Sequence, residues 1–494
     1  MEQLFFQYYM FCNGCILHKK KNFADWNIIR SPEFKTGKVP EENKIPIELL
    51  DSLSGIPGFN KEAFEAVHHS GKQVTAIRIN PFKKTSHKLF GFEIAGDVPW
   101  TKHGHYLSAR PSFTFDPLFH GGAYYVQEAS SMFLEQALQQ TVDLDEPLMV
   151  LDLCAAPGGK STHILSCLNS ESVLVSNEVI RNRVNILAEN ITKWGAVNTI
   201  VTNNDPVDFS SFPAMFDVMV VDAPCSGSGL FRKDPGAISE WSLSNVQHCS
   251  MRQQRILADA WPALKPGGVL IYSTCSYSTS ENERIADWLT ETTAATSIPL
   301  QINPGWGIVE TVSETHGNTG YRFYPYQLDG EGFYLACFRK PGVAEKLFSK
   351  AIKCQPDRKV VSIANHWLKE DHGLHFYQHK EQVFTMPSQT LQFFLFLQSK
   401  LNIRKAGIKL GDWARNEIIP DHALALSTVY QPAINALELD KQQAVQFLRR
   451  AAFTFEELPK GWLMVTHQAL PLGWLKSLGS RINNYYPKDW RIRS

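Results

Sequence analysis

A chain of 494 residues exceeds what one hydrophobic core usually serves, so about two to four domains are expected. With 44% hydrophobic and 20% charged residues it is neither disordered nor fibrous, and 49 basic against 49 acidic residues leave any nucleic-acid surface to a local patch. Nine scattered cysteines, an odd number, do not make a disulfide framework, and the chain reads as a reducing, cytoplasmic protein.

The N-terminal "MEQLFFQYYMFCNGCILHKKK" is apolar and aromatic, with its positive charges after the apolar part, which makes it a poor signal peptide. No other apolar run approaches the roughly 18 residues of a membrane span. Cys12 and Cys15 have C-x-x-C spacing without a second ligand pair, so no metal is expected, and residues 1–40 read as an extension. Residues 41–122 combine a helical start in "IPIELLDSL", a short strand in "QVTAIRINP" and loops rich in Pro, Gly and His, a small α/β module.

From "VQEASSMFLEQAL" onward, apolar strands and amphipathic helices alternate strictly. The strands read as "LMVLDLCAA", "SVLVSNEV", "NTIVTNND", "FDVMVVDAP" and "GGVLIYSTCS". This rhythm predicts an α/β fold, a parallel sheet covered on both faces, within residues 123–340. "EGFYLACFRK" is a further strand, an antiparallel addition, after a loop in "GYRFYPYQLDG". Residues 341–410 read as a connecting accessory region with a Gln-rich helical stretch near Lys380 to Ile403, and 411–494 as a C-terminal domain with an aromatic tail.

After the first strand, "DLCAAPGGKST" turns through Pro157, Gly158 and Gly159 into a helix, where small residues let a ligand approach backbone N–H groups. A structural turn would look the same, and the dinucleotide pattern G-x-G-x-x-G is absent. Glu178, past the second strand, can accept hydrogen bonds from two ribose hydroxyls. Asp205 and Asp222 end the third and fourth strands, so that with Asp152 four acids are expected along one crevice. A single such Asp is often a helix cap. Four suit a ribose and a positive sulfur better than a triphosphate, which points to S-adenosylmethionine.

Strands four and five should be neighbours, about 4.8 Å apart, bringing Cys225 of "DAPCSGSG" near Cys275 of "YSTCS". Buried cysteine is commonly just a small hydrophobe, the reading for Cys167, Cys249, Cys337 and Cys354. Thiols at a cofactor crevice suit another chemistry. The pyrimidine C5 is too electron-poor to attack a sulfonium methyl until a thiolate adds at C6. Asp222 is placed to protonate or hydrogen-bond N3 of the base, and a second thiol can assist the final elimination.

"DLCAAPGGK", "DAPCSGSG" followed by "RKDP", and "YSTCS" followed by "SENE" together resemble the motifs of RNA 5-methylcytosine methyltransferases of the Nol/Nop/Sun type. The resemblance implies a class I methyltransferase fold with a Rossmann-like sheet, with Cys275 as nucleophile and Cys225 aiding product release. It also implies that Cys154, Ala155, Ala156, Pro157, Gly158, Gly159 and Lys160, with Glu178, Asp205 and Asp222, contact S-adenosylmethionine. In the DNA enzymes the Pro-Cys cysteine attacks instead, so Thr274-Cys275 favours RNA. "IPIELL", "RPSFTFDPLFHGGAYYVQEASSMF" and "LGWLKSLGSRINNYYPKDWRI" resemble the bacterial branch acting on small-subunit (16S) ribosomal RNA. That implies an RNA-associated N-terminal module, a C-terminal α+β region resembling PUA (pseudouridine-synthase-archaeosine) domains, and RNA or the small subunit as partner; a monomer is a separate expectation that no motif carries.

The tail carries Lys476, Arg481, Tyr485 and Trp490, a basic and aromatic mixture suited to holding phosphates and stacking bases. On composition alone an ordinary solvated face is as good a reading; the resemblance favours RNA. Arg232, Lys233 and Arg322 are further RNA candidates, with structural ion pairs as the alternative. Competing functions are a tRNA cytosine-C5 methyltransferase, a ribose 2′-O-methyltransferase, disfavoured because no lysine follows "LKPGG" at the strand end, and a non-catalytic ribosome-assembly factor, which would not need both thiols and Asp222.

Overall fold

The structure, a computed structural model, describes residues 44–83, 90–343, 354, 356–431, 435–452, 458–479 and 481–493. The extension 1–40, with Cys12 and Cys15, lies outside the described residues. Among the described residues no helix is long and apolar enough to cross a membrane.

The N-terminal module holds the helices Ile47–Ser52 and Lys61–His69 and a four-stranded antiparallel sheet. Asn60 starts the second helix by accepting from the Ala63 N–H at 2.9 Å. The strands β1 (Ala76–Ile79), β2 (Ile94–Asp97), β3 (Gly104–Leu107) and β4 (Tyr124–Val126) lie in the order β2-β3-β1-β4. Because β4 belongs to this sheet, the module runs past the expected boundary at 122.

The central sheet begins with β5 (Met149–Asp152), β6 (Val173–Asn177), β7 (Thr199–Thr202), β8 (Phe216–Asp222) and β9 (Leu264–Thr274), all pairing in parallel. Four more strands follow: β10 (Thr296–Ser297), β11 (Val309–Val312), β12 (Thr319–Phe323) and β13 (Phe333–Arg339). The expected antiparallel addition is β13, which runs against β9. The segment read as a loop, "GYRFYP", instead supplies β12, which pairs with β13 along a buried row.

Alternate residues of these strands serve opposite faces. Val150, Leu174, Val201 and Val220 enter one core cluster with Leu187 and Ile191 of the helix Arg181–Trp194. Leu151, Val175, Ile200 and Val221 enter another with Ile256 and Leu257 of the helix Leu243–Ala260. Both faces are therefore dry, which is why the strands read as continuous apolar runs. The order β9-β8-β5-β6-β7 reverses direction between β5 and β8, and the carboxyl ends of the strands flank a crevice there.

In the accessory region, the stretch from Lys380 is not one helix. After β14 (His375–His379) it divides into the strand β15 (Gln382–Met386), a shorter helix Ser388–Leu397 and the strand β16 (Ile403–Ala406). β16 leaves its neighbours to pair antiparallel with β7, extending the central sheet. β17 (Ile408–Ala414) and β18 (Glu417–Pro420) complete a sheet of order β14-β15-β17-β18, and β17 runs through the expected boundary at 410.

The C-terminal domain packs β19 (Ala436–Glu438), β20 (Gly461–His467), β21 (Leu470–Ser477) and β22 (Ile482–Asn484) around the helix Lys441–Arg449. A capping box between Asp440 and Gln443 starts that helix. Phe447, Leu448, Leu463, Val465, Leu475 and Tyr486 form its core.

Candidate active site

The turn after β5 is held by its backbone. Ala155 N–H donates to Asn177 O at 2.8 Å, Arg183 Nη2 to Ala156 O at 2.6 Å, and Asn190 Nδ2 to Pro157 O at 2.8 Å. Gly158 sits at φ +112°, a left-handed conformation open to glycine, and hands the chain to the helix Gly159–Cys167. Cys154 flanks this turn, where burial pushes its thiol well above the ordinary range. Asp152 lies wholly buried beneath the turn and accepts from Ser161 Oγ at 2.6 Å, while its Oδ1 has no partner among the described residues. It does not face the crevice as expected from its place at a strand end. Burial pushes its carboxyl up to about 7.

Glu178 accepts from Ile180 N–H at 2.8 Å and meets Arg183 Nη1 at 3.4 Å. Burial raises its carboxyl, an effect that Arg183 and the backbone N–H groups only partly offset. Asp205 is both a cap and a crevice acid: it accepts from Val207 N–H at 3.2 Å and pairs with Arg255 at 3.2 Å. Asp222 accepts from Ser273 Oγ at 2.9 Å and holds Lys160 Nζ at 2.7 Å. Burial lowers the Lys160 ammonium, but the Asp222 charge outweighs it and holds the lysine above its ordinary value. Lys160 Nζ also lies 5.2 Å over the Phe333 ring.

The two cysteines meet. Asp222 and Ser273 are in register on β8 and β9, so the chains leave the sheet side by side, with Cys225 and Cys275 following. Their Sγ atoms are 3.0 Å apart. Cys225 is 1% exposed, whereas Cys275 is half-buried and the more accessible of the two.

Sequence reasoning assigned no role to Glu281, yet it lies fully buried behind both cysteines. It accepts from the backbone N–H of Ser226 at 2.7 Å and from the hydroxyls of Ser226 and Ser276 at 2.6 and 2.5 Å. The only signal was its place in "SENE", a motif quoted above for resemblance alone.

Two of the three cations expected to touch RNA near the site are otherwise engaged. Arg322 is 1% exposed and makes a bidentate pair with Glu283, at 2.7 and 2.5 Å, plus a bond to Tyr277 O at 2.7 Å. It is a buried brace and not an RNA contact. Arg232 has a side chain 4% exposed and donates to Lys72 O and Gly330 O, tying the N-terminal module to the loop before β13. Lys233 beside it is half-buried. Farther away, Arg481 and Tyr485 are exposed, and Tyr485 and Lys476 both approach the Trp462 ring, at 4.6 and 4.8 Å. Trp490 packs edge-on against His422 at 5.0 Å, so it is partly spent inside the fold.

Another donor cluster among the described residues, Glu135, His163 and Cys167, has its ligand atoms within 4.8 Å of one another. Arg78 lines the same cavity of about 190 Å³, and Glu135 already accepts from Thr101, Lys102 and His163. A guanidinium there opposes a cation.

Comparison with known proteins supplies independent findings. The family described as 16S rRNA methyltransferase RsmB/F matches residues 139–339, the N-terminal domain of 16S rRNA methyltransferase RsmF matches 45–129, and the methyltransferase RsmF PUA domain matches 434–492. The chain is 32% identical to ribosomal RNA small subunit methyltransferase F of Escherichia coli O127:H6, over 79% of this chain and 84% of that one. It is 30% identical to its namesake from Pectobacterium atrosepticum, over 90% and 95%. Among solved structures, NSun6 from Pyrococcus horikoshii with SFG has a TM-score of 0.50 at 20% identity, covering 60% of this chain and 99% of that one, a likeness of fold. With its three domains matched in order, and relatives matched over most of their length, the chain belongs to the 16S rRNA methyltransferase RsmB/F family.

Proposed function

We propose that this protein methylates C5 of a cytosine in 16S ribosomal RNA, with S-adenosylmethionine as methyl donor and Cys275 as nucleophile. The observation that carries the reading is the pair of thiols 3.0 Å apart, next to a crevice where Asp222 holds Lys160 at 2.7 Å. A ribose 2′-O-methyltransferase has no use for two adjoining thiols.

The crevice residues fit the cofactor. Glu178 offers carboxylate oxygens to a ribose, Asp205 is a second acceptor, and Gly158 and Gly159 keep side chains away from the turn joining β5 to its helix. When bound, S-adenosylmethionine supplies a methyl group on a positively charged sulfur. Glu178, Asp205, Asp222 and the turn from Cys154 to Lys160 are the residues that would hold it.

The chain's own groups then act on the base. Cys275 Sγ, as thiolate, bonds to C6, and the C5=C6 electron pair shifts towards C5 while N3 takes a hydrogen bond from the proton shared by Lys160 and Asp222. After C5 is methylated, Cys225 as thiolate removes the C5 proton. The C–H pair re-forms C5=C6, and the C6–Sγ bond breaks with its electrons returning to Cys275. Cys275 is the more exposed thiol, which supports its role in attack, while the enclosed Cys225 suits a group that works after the base is seated.

A monomer in a cytoplasmic setting completes the reading, the setting supported by nine scattered cysteines that make no disulfide framework. Lys476, Arg481 and Tyr485 are the RNA contacts kept in this reading, with Lys233 near the site.

The test expresses Cys225→Ala protein in cells, denatures it and measures RNA that remains attached. A covalent adduct is expected that disappears in Cys225→Ala/Cys275→Ala protein, and sequencing the RNA identifies the target. Turnover by Cys275→Ala protein at the normal rate would overturn the reading.

A further inference from the structure

We propose that Glu281 is a positioning residue that sets the distance between the two thiols and so couples product release to attack. This rests on the division of roles between Cys225 and Cys275 proposed above. Ser226 directly follows Cys225, and Ser276 directly follows Cys275. One carboxylate therefore holds the residue next to each thiol: Oε1 accepts from Ser226 N–H at 2.7 Å, and Oε2 from Ser226 Oγ at 2.6 Å and Ser276 Oγ at 2.5 Å. Gln253 completes the set, donating to Pro224 O at 3.1 Å and to Oε1 at 3.4 Å.

All these partners donate and a carboxylate only accepts, so the chemistry of the position is matched. Enclosing a carboxylate is costly, and an apolar residue would fill the space more cheaply if packing were the whole task. At 0% exposure Glu281 cannot reach a substrate, so any effect on the reaction is transmitted through the serines.

The clamp is uneven. The Cys275 loop has a second brace in Asn282, which accepts from Thr274 Oγ1 at 2.6 Å and donates to Ser276 O at 2.8 Å. On the Cys225 loop, the N–H and hydroxyl of Ser226 end on Glu281. The hydroxyl's further contact at 3.3 Å is with Ser276 Oγ, itself held by Glu281, and the Gln253 that braces Pro224 O leans on Glu281 as well. Loss of the carboxylate thus loosens Cys225 more than Cys275. Attack persists, release slows, and enzyme accumulates on the RNA.

The experiment compares full-length Glu281→Ala, Glu281→Gln and Cys225→Ala proteins for covalently attached RNA and for steady-state methylation. Glu281→Ala is expected to accumulate a Cys275-linked adduct as Cys225→Ala does, with kcat reduced about 100-fold, the scale of a 1 Å misplacement, and KM falling with it because the slowed step follows attack. Glu281→Gln should lower the adduct again, because its oxygen still accepts from Ser226 N–H and its NH₂ can donate to the two hydroxyls. If Glu281→Ala protein is too unstable to fold, Ser226→Ala, which deletes the hydroxyl arm of the Cys225 loop and leaves Oε2 its bond from Ser276, is expected to accumulate the same adduct.

An adduct in Cys225→Ala but none in folded Glu281→Ala or in Ser226→Ala overturns this inference alone. Absence of an adduct in Cys225→Ala itself overturns the division of roles between the thiols, and the inference with it.

Discussion

On the cofactor side of the crevice, Glu178, Asp205 and Asp222 each face a cation, Arg183, Arg255 and Lys160, at 3.4, 3.2 and 2.7 Å. On the thiol side, Glu281 and Glu283 are enclosed, the first by serine donors and the second by Arg322. The contrast is clearest in the side chains of two ion pairs: Arg255 and Asp205 are 53% and 38% exposed, Arg322 and Glu283 only 2% and 10%. A wet pair is weak and its acid can exchange partners when a ligand arrives. A dry pair fixes backbone, which suits loops that must keep two sulfurs in contact while substrates come and go.

Removing one partner from each kind of pair is the strongest way to break that contrast. Arg322→Ala leaves Glu283 buried without its cation and is expected to cost about 3–5 kcal/mol in a denaturant melt. Arg255→Ala should cost about 0–1 kcal/mol in the same melt. Equal losses would erase the distinction between the two sides.

A smaller effect tests the cofactor side for binding. Glu178→Gln is expected to weaken S-adenosylmethionine binding about 10- to 100-fold by calorimetry, the range for hydrogen bonds to a charged acceptor. Unchanged affinity would remove Glu178 from the set of cofactor contacts.

A pH-dependent effect concerns Asp152, an acid without a cation in direct contact among the described residues. Its folded pKa is raised from 3.8 to about 7 by burial, so the folded state holds a proton that the unfolded state gives up. Its contribution to stability is full below about pH 4 and is lost as pH rises through 7, with a slope of at most about 1.4 kcal/mol per pH unit. Asp152→Asn should flatten melts between pH 4 and 7; an unchanged slope would show that another group carries it.

The central sheet was readable because β6 and β7 are buried at every residue, and dry strands leave continuous apolar runs between amphipathic helices. The meeting of Cys225 and Cys275 was readable too, since both leave neighbouring parallel strands at the same level. Glu281 was not, because Ser226, the partner that joins it to the other thiol's loop, is distant in sequence, and a list of residues does not show which hydroxyls converge. Arg322 and Arg232 were misread for a related reason: charge is visible in sequence, whereas burial against Glu283 or against a backbone carbonyl is a tertiary fact. The strand β16 escaped notice since "IRKA" is short and mixed, and earns its place only by lying against the edge of β7.

That last strand has a consequence for any shortened form of the protein. A chain ending at Arg339 would keep every crevice residue, yet it would lose β16 and the helix Ser388–Leu397, whose Leu391, Phe394 and Leu397 pack beneath the sheet. β7 would then present a row of open N–H and C=O groups beside uncovered apolar surface, a template for edge-to-edge aggregation. The catalytic sheet is thus complete only after the chain has run more than sixty residues past Arg339 and returned to seal it, since β16 begins at Ile403.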